Sequence, residues 1–582
     1  MKMRSWIYFF LLNLGAAGLW AQPANPGYKP VTQTYALKNA TVVVKPGQTL
    51  QMATVIIRDG LIQAVGTNLA IPADAKVIAA DSMFVYAGFI DGLSYAGIPQ
   101  SRQPAATGQA GPPQPGQQAQ RPANAANPTN EQAGIQPEIK ARDVISPQEK
   151  SLEDLRKLGF TAAHVVPQGR MLPGSGALFL LNGNTADEML IRDHTSLFAT
   201  LNGARGVYPS TVIGVMSKFR ELYKQAEQAK MQEAMFAANP AGMAKPSNNK
   251  SLQAFYPVLD KKLPVYFAVD DIRSIHRAMT LQQELGFPIV MAGLKQGWYV
   301  VDMIKSKNIP VLLSVDLPKA KETPKPAEKK EGEAAAKPDP EKEQLEARAA
   351  EEMKKLESQA AVFAGKGVAF AFATYNGKPA ELRENLRRMI KNGLTEDQAL
   401  SALTTTPAAM MGMTQALGSV EKGKMANLVV SDKPYFAEKS NVRMVFVQGN
   451  LFEYEAPKAS PAAATGRPAG GALAASIGGK WDYAIDAQGD EYTGVLTISD
   501  NAGAVSGSWS SSQIPGNNPM INPVLKDNQL TFSSQINMQG QDLTLEFDLR
   551  IQGGSFTGKV SIPQVGTFDI KGSRQGGPNG LE

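Results

Sequence analysis

His164, His194 and His276 are the only imidazoles in the chain. There is no cysteine, so thiolate metal ligands and disulfides are both excluded. A hydrolytic zinc centre needs three protein ligands and an open position for water. His194 lies in the polar stretch Arg192-Asp193-His194-Thr195, which reads as a surface turn. His276 falls within a helical pattern and reads as surface or half-buried. His164 lies on a strand and is the one histidine placed to face a pocket; ordinary packing is the alternative. Asp91, Asp270, Asp271 and Asp302 could serve a hard cation, but they lack compact ligand spacing. Gly174-Ser175-Gly176 is not a Gly-x-Ser-x-Gly nucleophile elbow and reads as a backbone turn. No glycine-rich phosphate loop follows any strand.

The elements that must position these residues alternate. Strand patterns at Phe160–Val166, Pro264–Val269, Pro288–Met291, Pro310–Val315 and Gly367–Thr374 are interleaved with helical ones at 147–158, 213–237, 272–285, 299–305 and 381–392. Short apolar strands separated by helices are the signature of parallel βαβ units, and many of them in series predict a β/α barrel. Thr395 is placed to cap the helix that ends near Leu403. Before the barrel, residues 34–86 read as short strands with an Asp59-Gly60 hairpin turn. After it, 415–455 returns to strands, with Gly449-Asn450 as a turn. Two insertions interrupt the barrel segment, 87–414. Residues 100–148 are rich in Pro, Gln, Ala and Gly and predict a flexible loop. Residues 319–358 are a Lys/Glu/Ala/Pro run ending in a solvated helix from Glu341 to Gln359. An Ala/Pro/Gly linker, 456–475, leads to residues 476–582, whose alternating strands predict an all-β barrel or sandwich. Its Gly479-Lys480-Trp481 opening is distantly similar to lipocalin-like barrels, which suggests either a binding module or a structural domain.

The 582 residues suffice for several domains, and 43% hydrophobic against 19% charged residues is enough to build cores. A net charge of +6 with no basic run interleaved with aromatics argues against nucleic acid. Lys2 and Arg4, the apolar stretch Trp6–Leu19 and Ala21-Gln22 predict a cleaved signal peptide over about residues 1–22. The expected location is therefore secreted or periplasmic, without stable membrane insertion.

Val85-Tyr86-Ala87-Gly88-Phe89-Ile90-Asp91 resembles a motif of the amidohydrolase superfamily, in its imidazolonepropionase-like branch. Leu158-Gly159-Phe160-Thr161, Met171–Ala177, Val265–Ile272 and Val290–Gly293 resemble further segments of that family. So do Phe372–Tyr375, Gly393-Leu394-Thr395, Thr406-Pro407-Ala408 and Ala426–Val430. The resemblance covers about 34–455. It implies a TIM-like barrel beside a composite β-sandwich built from 34–86 and 415–455. It also implies zinc or another divalent metal, activating water against a carbon–nitrogen bond.

At the positions where the family carries ligands, this chain has Leu93 and Tyr95 for the His-x-His pair, and Val265 and Phe267 ahead of Asp270-Asp271. It has Ala292 for the next histidine and Tyr375 for the final aspartate. These substitutions imply that no metal cofactor is held and that the chain is a degenerate homologue. Its role would be to scaffold or regulate an active amidohydrolase, to form a homo-oligomer, or to bind a ligand in the old pocket. The alternative is an active hydrolase of carbon–nitrogen bonds with a non-standard site, so the enzyme assignment stays open at this stage.

Overall fold

The computed structural model describes residues 33–99, 124–318 and 340–455. It also describes 477–575, apart from short segments at 488–489, 502–503, 512–517, 527, 539–540, 553 and 563–565. The expected signal peptide, the first parts of both insertions and the 456–475 linker lie outside the described residues. The chain divides into two compact units, 1–459 and 460–582. Among the described residues no helix is long and apolar enough to cross a membrane.

The first unit opens with β1 (Thr34–Lys45), β2 (Gln48–Arg58), β3 (Leu61–Gly66), β4 (Ala75–Ala79) and β5 (Phe84–Ala87). Then come β6 (Phe89–Ser94), β7 (Phe160–Val165), β8 (Gly174–Leu180), β9 (Leu190–Thr200), β10 (Val265–Ala268), β11 (Ile289–Leu294), β12 (Val311–Ser314) and β13 (Phe370–Ala373). The unit ends with β14 (Leu428–Ser431), β15 (Val442–Val447) and β16 (Asn450–Glu453). Strands from both flanks hydrogen-bond into one eight-stranded sheet, in the order β16-β15-β14-β5-β1-β2-β3 with β4 beside β1. Asp59 and Gly60 both take positive φ, 52° and 77°, as a tight β2–β3 hairpin requires. The β15–β16 turn is centred one residue earlier than its sequence suggests. Gln448 and Gly449 carry the positive φ, and Asn450 already begins the strand.

The barrel sheet runs β13-β12-β11-β10-β9-β8-β7-β6. The strands from β9 to β13 are parallel, as the helix–strand alternation predicts. The regular pattern fails between β7 and β9. The backbone turn expected at Gly174-Ser175-Gly176 is instead the start of β8, which runs antiparallel to both neighbours. Glycine makes this approach feasible: a Cβ on Gly176 would lie 2.6 Å from Ser196 Oγ and 2.7 Å from His164 Nε2. The sheet closes where β13 meets β6. There Tyr375 N donates to Leu93 O at 3.0 Å and Thr374 N to Asp91 Oδ1 at 2.9 Å.

Both insertions are more integrated than their composition suggests. Within 124–148, helices form at Asn130–Ala133 and Ala141–Val144, the first closed by a Thr129/Gln132 capping box. Ile135, Ala141 and Ile145 are buried in the main core, and three such anchors outweigh the surrounding polar composition. The charged run ends in a helix from Pro340 to Gly365 whose last turns dock. Ala360 and Phe363 are buried, and Gln359 bridges Gly297 N (2.6 Å) and Leu294 O (3.1 Å). Burying a phenylalanine contributes about 2–3 kcal/mol, enough to hold this end while the first half stays solvated.

The second unit is all antiparallel β: β17 (Gly479–Ala487), β18 (Asp490–Asn501), β19 (Ala504–Ser511), β20 (Asn518–Pro519), β21 (Ile521–Lys526), β22 (Gln529–Met538), β23 (Gln541–Gln552), β24 (Ser555–Ile562) and β25 (Gly566–Arg574). Its order, β20-β19-β18-β17-β25-β24-β23-β22-β21, pairs the first strand with the last. The outer strands β20 and β21 are consecutive in the chain, and Ser534 Oγ on β22 donates to Pro519 O on β20 at 2.9 Å. The sheet therefore curls into a nearly closed barrel. Trp481, Trp509, Phe532, Phe547 and Phe556 are buried in its core.

Candidate functional site

Strand alternation decides which residues face the barrel lumen. One apolar cluster gathers Leu93 and Ala292 with Phe198, Tyr266 and Leu312, and Tyr95, Ala268 and Tyr375 pack against it. Val265 and Phe267 belong instead to the cluster that packs against the surrounding helices. The expectation that they face the pocket is therefore corrected by one residue: on β10 the lumen residues are Tyr266 and Ala268. Reading one position out of register exchanges the two faces of a strand.

Toward the C-terminal end of the lumen three rings meet. Their centroids lie 5.0 Å apart for Tyr95–Tyr375, 5.8 Å for Phe198–Tyr375 and 6.5 Å for Tyr95–Phe198. Burial pushes both phenols up, Tyr95 far above its ordinary range. Both stay neutral near pH 7, so neither is a general base there.

Asp91 is fully buried at the β6–β13 seam. Its carboxylate accepts from Thr374 N (2.9 Å), Leu93 N (3.3 Å) and Thr374 Oγ1. Burial raises its pKa to about 6, and the Thr374 bonds oppose that shift. His164, also fully buried, contacts Gly92 O through Nδ1 (3.2 Å) and Ser196 Oγ through Nε2 (3.1 Å). Its ring lies 4.6 Å from that of Tyr266. Burial lowers its pKa to about 4, so the ring is neutral. Because a carbonyl can only accept, Nδ1 carries the proton and Nε2 accepts from Ser196. His164 thus faces inward, but it is locked on both nitrogens and lines no described cavity.

The paired aspartates are separated by role. Asp271 caps the helix Ile272–Leu285, accepting from Ser274 N at 2.7 Å, and that bond lowers its pKa. Asp270 is exposed at the end of β10 and borders a cavity of about 100 Å³ together with Lys295, Ala292 and Tyr375. His276 is exposed on the same helix. His194 departs from its expected surface turn. It sits within β9, half-buried, with φ 52° and no partner for its buried Nδ1.

A larger cleft of about 870 Å³ opens where β6, β7, β9 and β13 end, lined by Ser94, Tyr95, Arg170, Asn202, Thr374 and Asn376 among others. Sequence reasoning missed Arg170, Asn202 and Asn376. The available signal was their position just past barrel strands, the face on which barrel enzymes build their sites.

The amidohydrolase family model matches residues 336–452. An amidohydrolase from Thermotoga maritima MSB8 shares the fold: 21% identity over 72% of this chain and 100% of that one, TM-score 0.57. Over residues 336–452 in sequence, and in fold, the chain is similar to amidohydrolases. A putative prolidase from Bifidobacterium longum aligns with TM-score 0.38 at 12% identity, over 74% of this chain and 97% of that one. No curated protein matches by sequence.

The described lumen residues offer no donor set that fits a divalent metal. Leu93, Ala292, Tyr95 and Tyr375 supply two hydrocarbon groups and two neutral phenols, and Tyr266 and Ala268 add no imidazole or carboxylate. Among the described residues, no three His, Asp or Glu side chains converge as a metal-holding group. The cleft beyond the three rings is polar and open. It can bind and orient a small molecule through Arg170, Asn202, Asn376 and Thr374.

Proposed function

We propose that this amidohydrolase-superfamily chain is an exported, non-hydrolytic homologue. It binds a ligand in the cleft at the C-terminal end of its barrel and scaffolds or regulates an active, metal-bearing relative. One observation carries the reading: Leu93, Tyr95, Ala292 and Tyr375 converge in a single apolar cluster in the lumen. Two hydrocarbon side chains and two neutral phenols offer no ligand set for the metal that would activate water. Export rests on the charged, apolar and small-residue pattern of residues 1–22.

A second reading, a hydrolase of carbon–nitrogen bonds with a non-standard site, draws support from Asp91. Its raised carboxyl is bonded to Thr374, which lines the cleft. The two readings separate in one experiment. Purified mature protein is gel-filtered, its metal measured by elemental mass spectrometry, and turnover of dipeptides and cyclic amides followed with and without chelator. The expected result is less than about a tenth of an equivalent of metal and no turnover. Close to one equivalent with chelator-sensitive hydrolysis overturns the proposal and establishes the hydrolase.

A further inference from the structure

At the other end of the barrel, where β9, β10, β11 and β12 begin, lies a second cavity of about 630 Å³ that shares no lining residue with the cleft. Its walls are apolar, with Phe287, Val290, Ile309 and Met410 among them. Arg192, Lys262, Lys307 and His194 also line it, and none of its described lining residues is acidic. Among the described residues, none of those three cations takes part in an ion pair. Arg192 Nη1 donates to Met411 O at 2.8 Å, which holds the guanidinium against the segment that follows the helix Thr405–Met410.

Two polar groups at this cavity lack partners. Tyr266 is only 4% exposed and its ring lies tilted at 4.6 Å from that of His164, while its hydroxyl, on the cavity wall, makes no hydrogen bond to the described protein. His194 Nδ1 is buried without a partner. A buried imidazole nitrogen left unbonded is costly, and such groups are normally satisfied by protein, water or ligand. Apolar walls, basic side chains without ion pairs and the unpartnered buried His194 Nδ1 together describe a receptor for an amphipathic anion.

We propose that the N-terminal end of the barrel is a binding site for a small amphipathic carboxylate. Its hydrocarbon body packs between Phe287, Val290 and Met410, toward the Tyr266 ring. Its carboxylate is held at the basic residues. The volume falls within the range of ordinary small-molecule pockets. The site needs neither a metal nor the cleft, so it stands whether or not the chain hydrolyses anything.

The test is calorimetric titration of the full mature chain with octanoate, octanol and inorganic phosphate. Octanoate is expected to bind, with octanol (body alone) and phosphate (charge alone) each at least about tenfold weaker. Lys262→Gln with Lys307→Gln, both at exposed positions, should weaken octanoate about tenfold or more without changing the melting temperature. Tyr266→Phe should weaken it a few-fold, because it removes only the hydroxyl. The proposal is overturned if octanoate gives no binding up to about 1 mM. It is equally overturned if octanol or phosphate binds as tightly as octanoate, or if the lysine variants bind unchanged.

Discussion

At the C-terminal end of the barrel lumen Tyr95, Phe198 and Tyr375 pack ring to ring, while Asp91, His164 and Ser196, deeper in, are all hydrogen-bonded. At the N-terminal end the Tyr266 hydroxyl and His194 Nδ1 have no partner, and a cavity stays open beside them. The lumen positions that resemble a catalytic centre in sequence pack as a core beneath the polar cleft, which Tyr95 also lines. The end without any motif keeps the features of a receptor. Packing is stabilising only where every buried polar group is also satisfied, so the two ends should respond differently to substitution.

The largest expected effect is at the packed end. Phe198 is fully buried between Tyr95 and Tyr375. Phe198→Ala should cost about 3–5 kcal/mol, read as a lower urea midpoint for the first unit. A loss below about 1 kcal/mol would mean that the rings form a loose lining rather than a core.

A smaller effect tests the buried charges. Asp91 has a folded pKa of about 6, above its ordinary 3.8, so the fold favours its protonated form. That contribution is complete below about pH 4 and lost as pH rises through about 6. His164 has a folded pKa of about 4, below its ordinary 6.5, so the fold favours the neutral ring. Its contribution is complete above about pH 6.5 and lost as pH falls through about 4. Each amounts to about 3 kcal/mol, and between pH 4 and 6 the two slopes oppose. Relative to wild type, Asp91→Asn should therefore make stability rise more steeply with pH across this window. His164→Gln should tilt it the other way. Parallel profiles for the two variants would show that neither group titrates as its burial demands.

The smallest effect belongs to the open end. Tyr266→Phe removes a hydroxyl without a protein partner and should change the urea midpoint by less than about 0.5 kcal/mol. A loss above about 1 kcal/mol would show that a bound water satisfies that hydroxyl, which would erase the contrast between the ends.

Much of the fold was legible in the sequence because it is local. The helix at 272–285 matches its apolar periodicity residue for residue, and Thr395 caps the helix it precedes, whereas Asp271, expected at the pocket, is the N-cap of its helix. Asp59-Gly60 makes the tight turn that its residue types demand. Of the lumen residues, Leu93, Tyr95, Ala292 and Tyr375 were found through family motifs, whereas Tyr266 and Ala268 were missed by one residue on β10. The antiparallel β8 was also missed, because its glycines make sense only against Ser196 and His164 from neighbouring strands.

Residue types alone determined which chemistry is absent from the family's ligand positions: leucine, alanine and tyrosine carry neither imidazole nor carboxylate wherever they point. They also determined the helices, caps and turns, which depend on neighbours a few residues away. Only the tertiary structure decided which face of β10 meets the lumen, that Asp91 closes the barrel seam instead of facing solvent, and that Arg192, Lys262 and Lys307 gather around one cavity. Those outcomes depend on strand register and on partners far along the chain. Backbone pairing and burial settle them collectively, and no single segment encodes them.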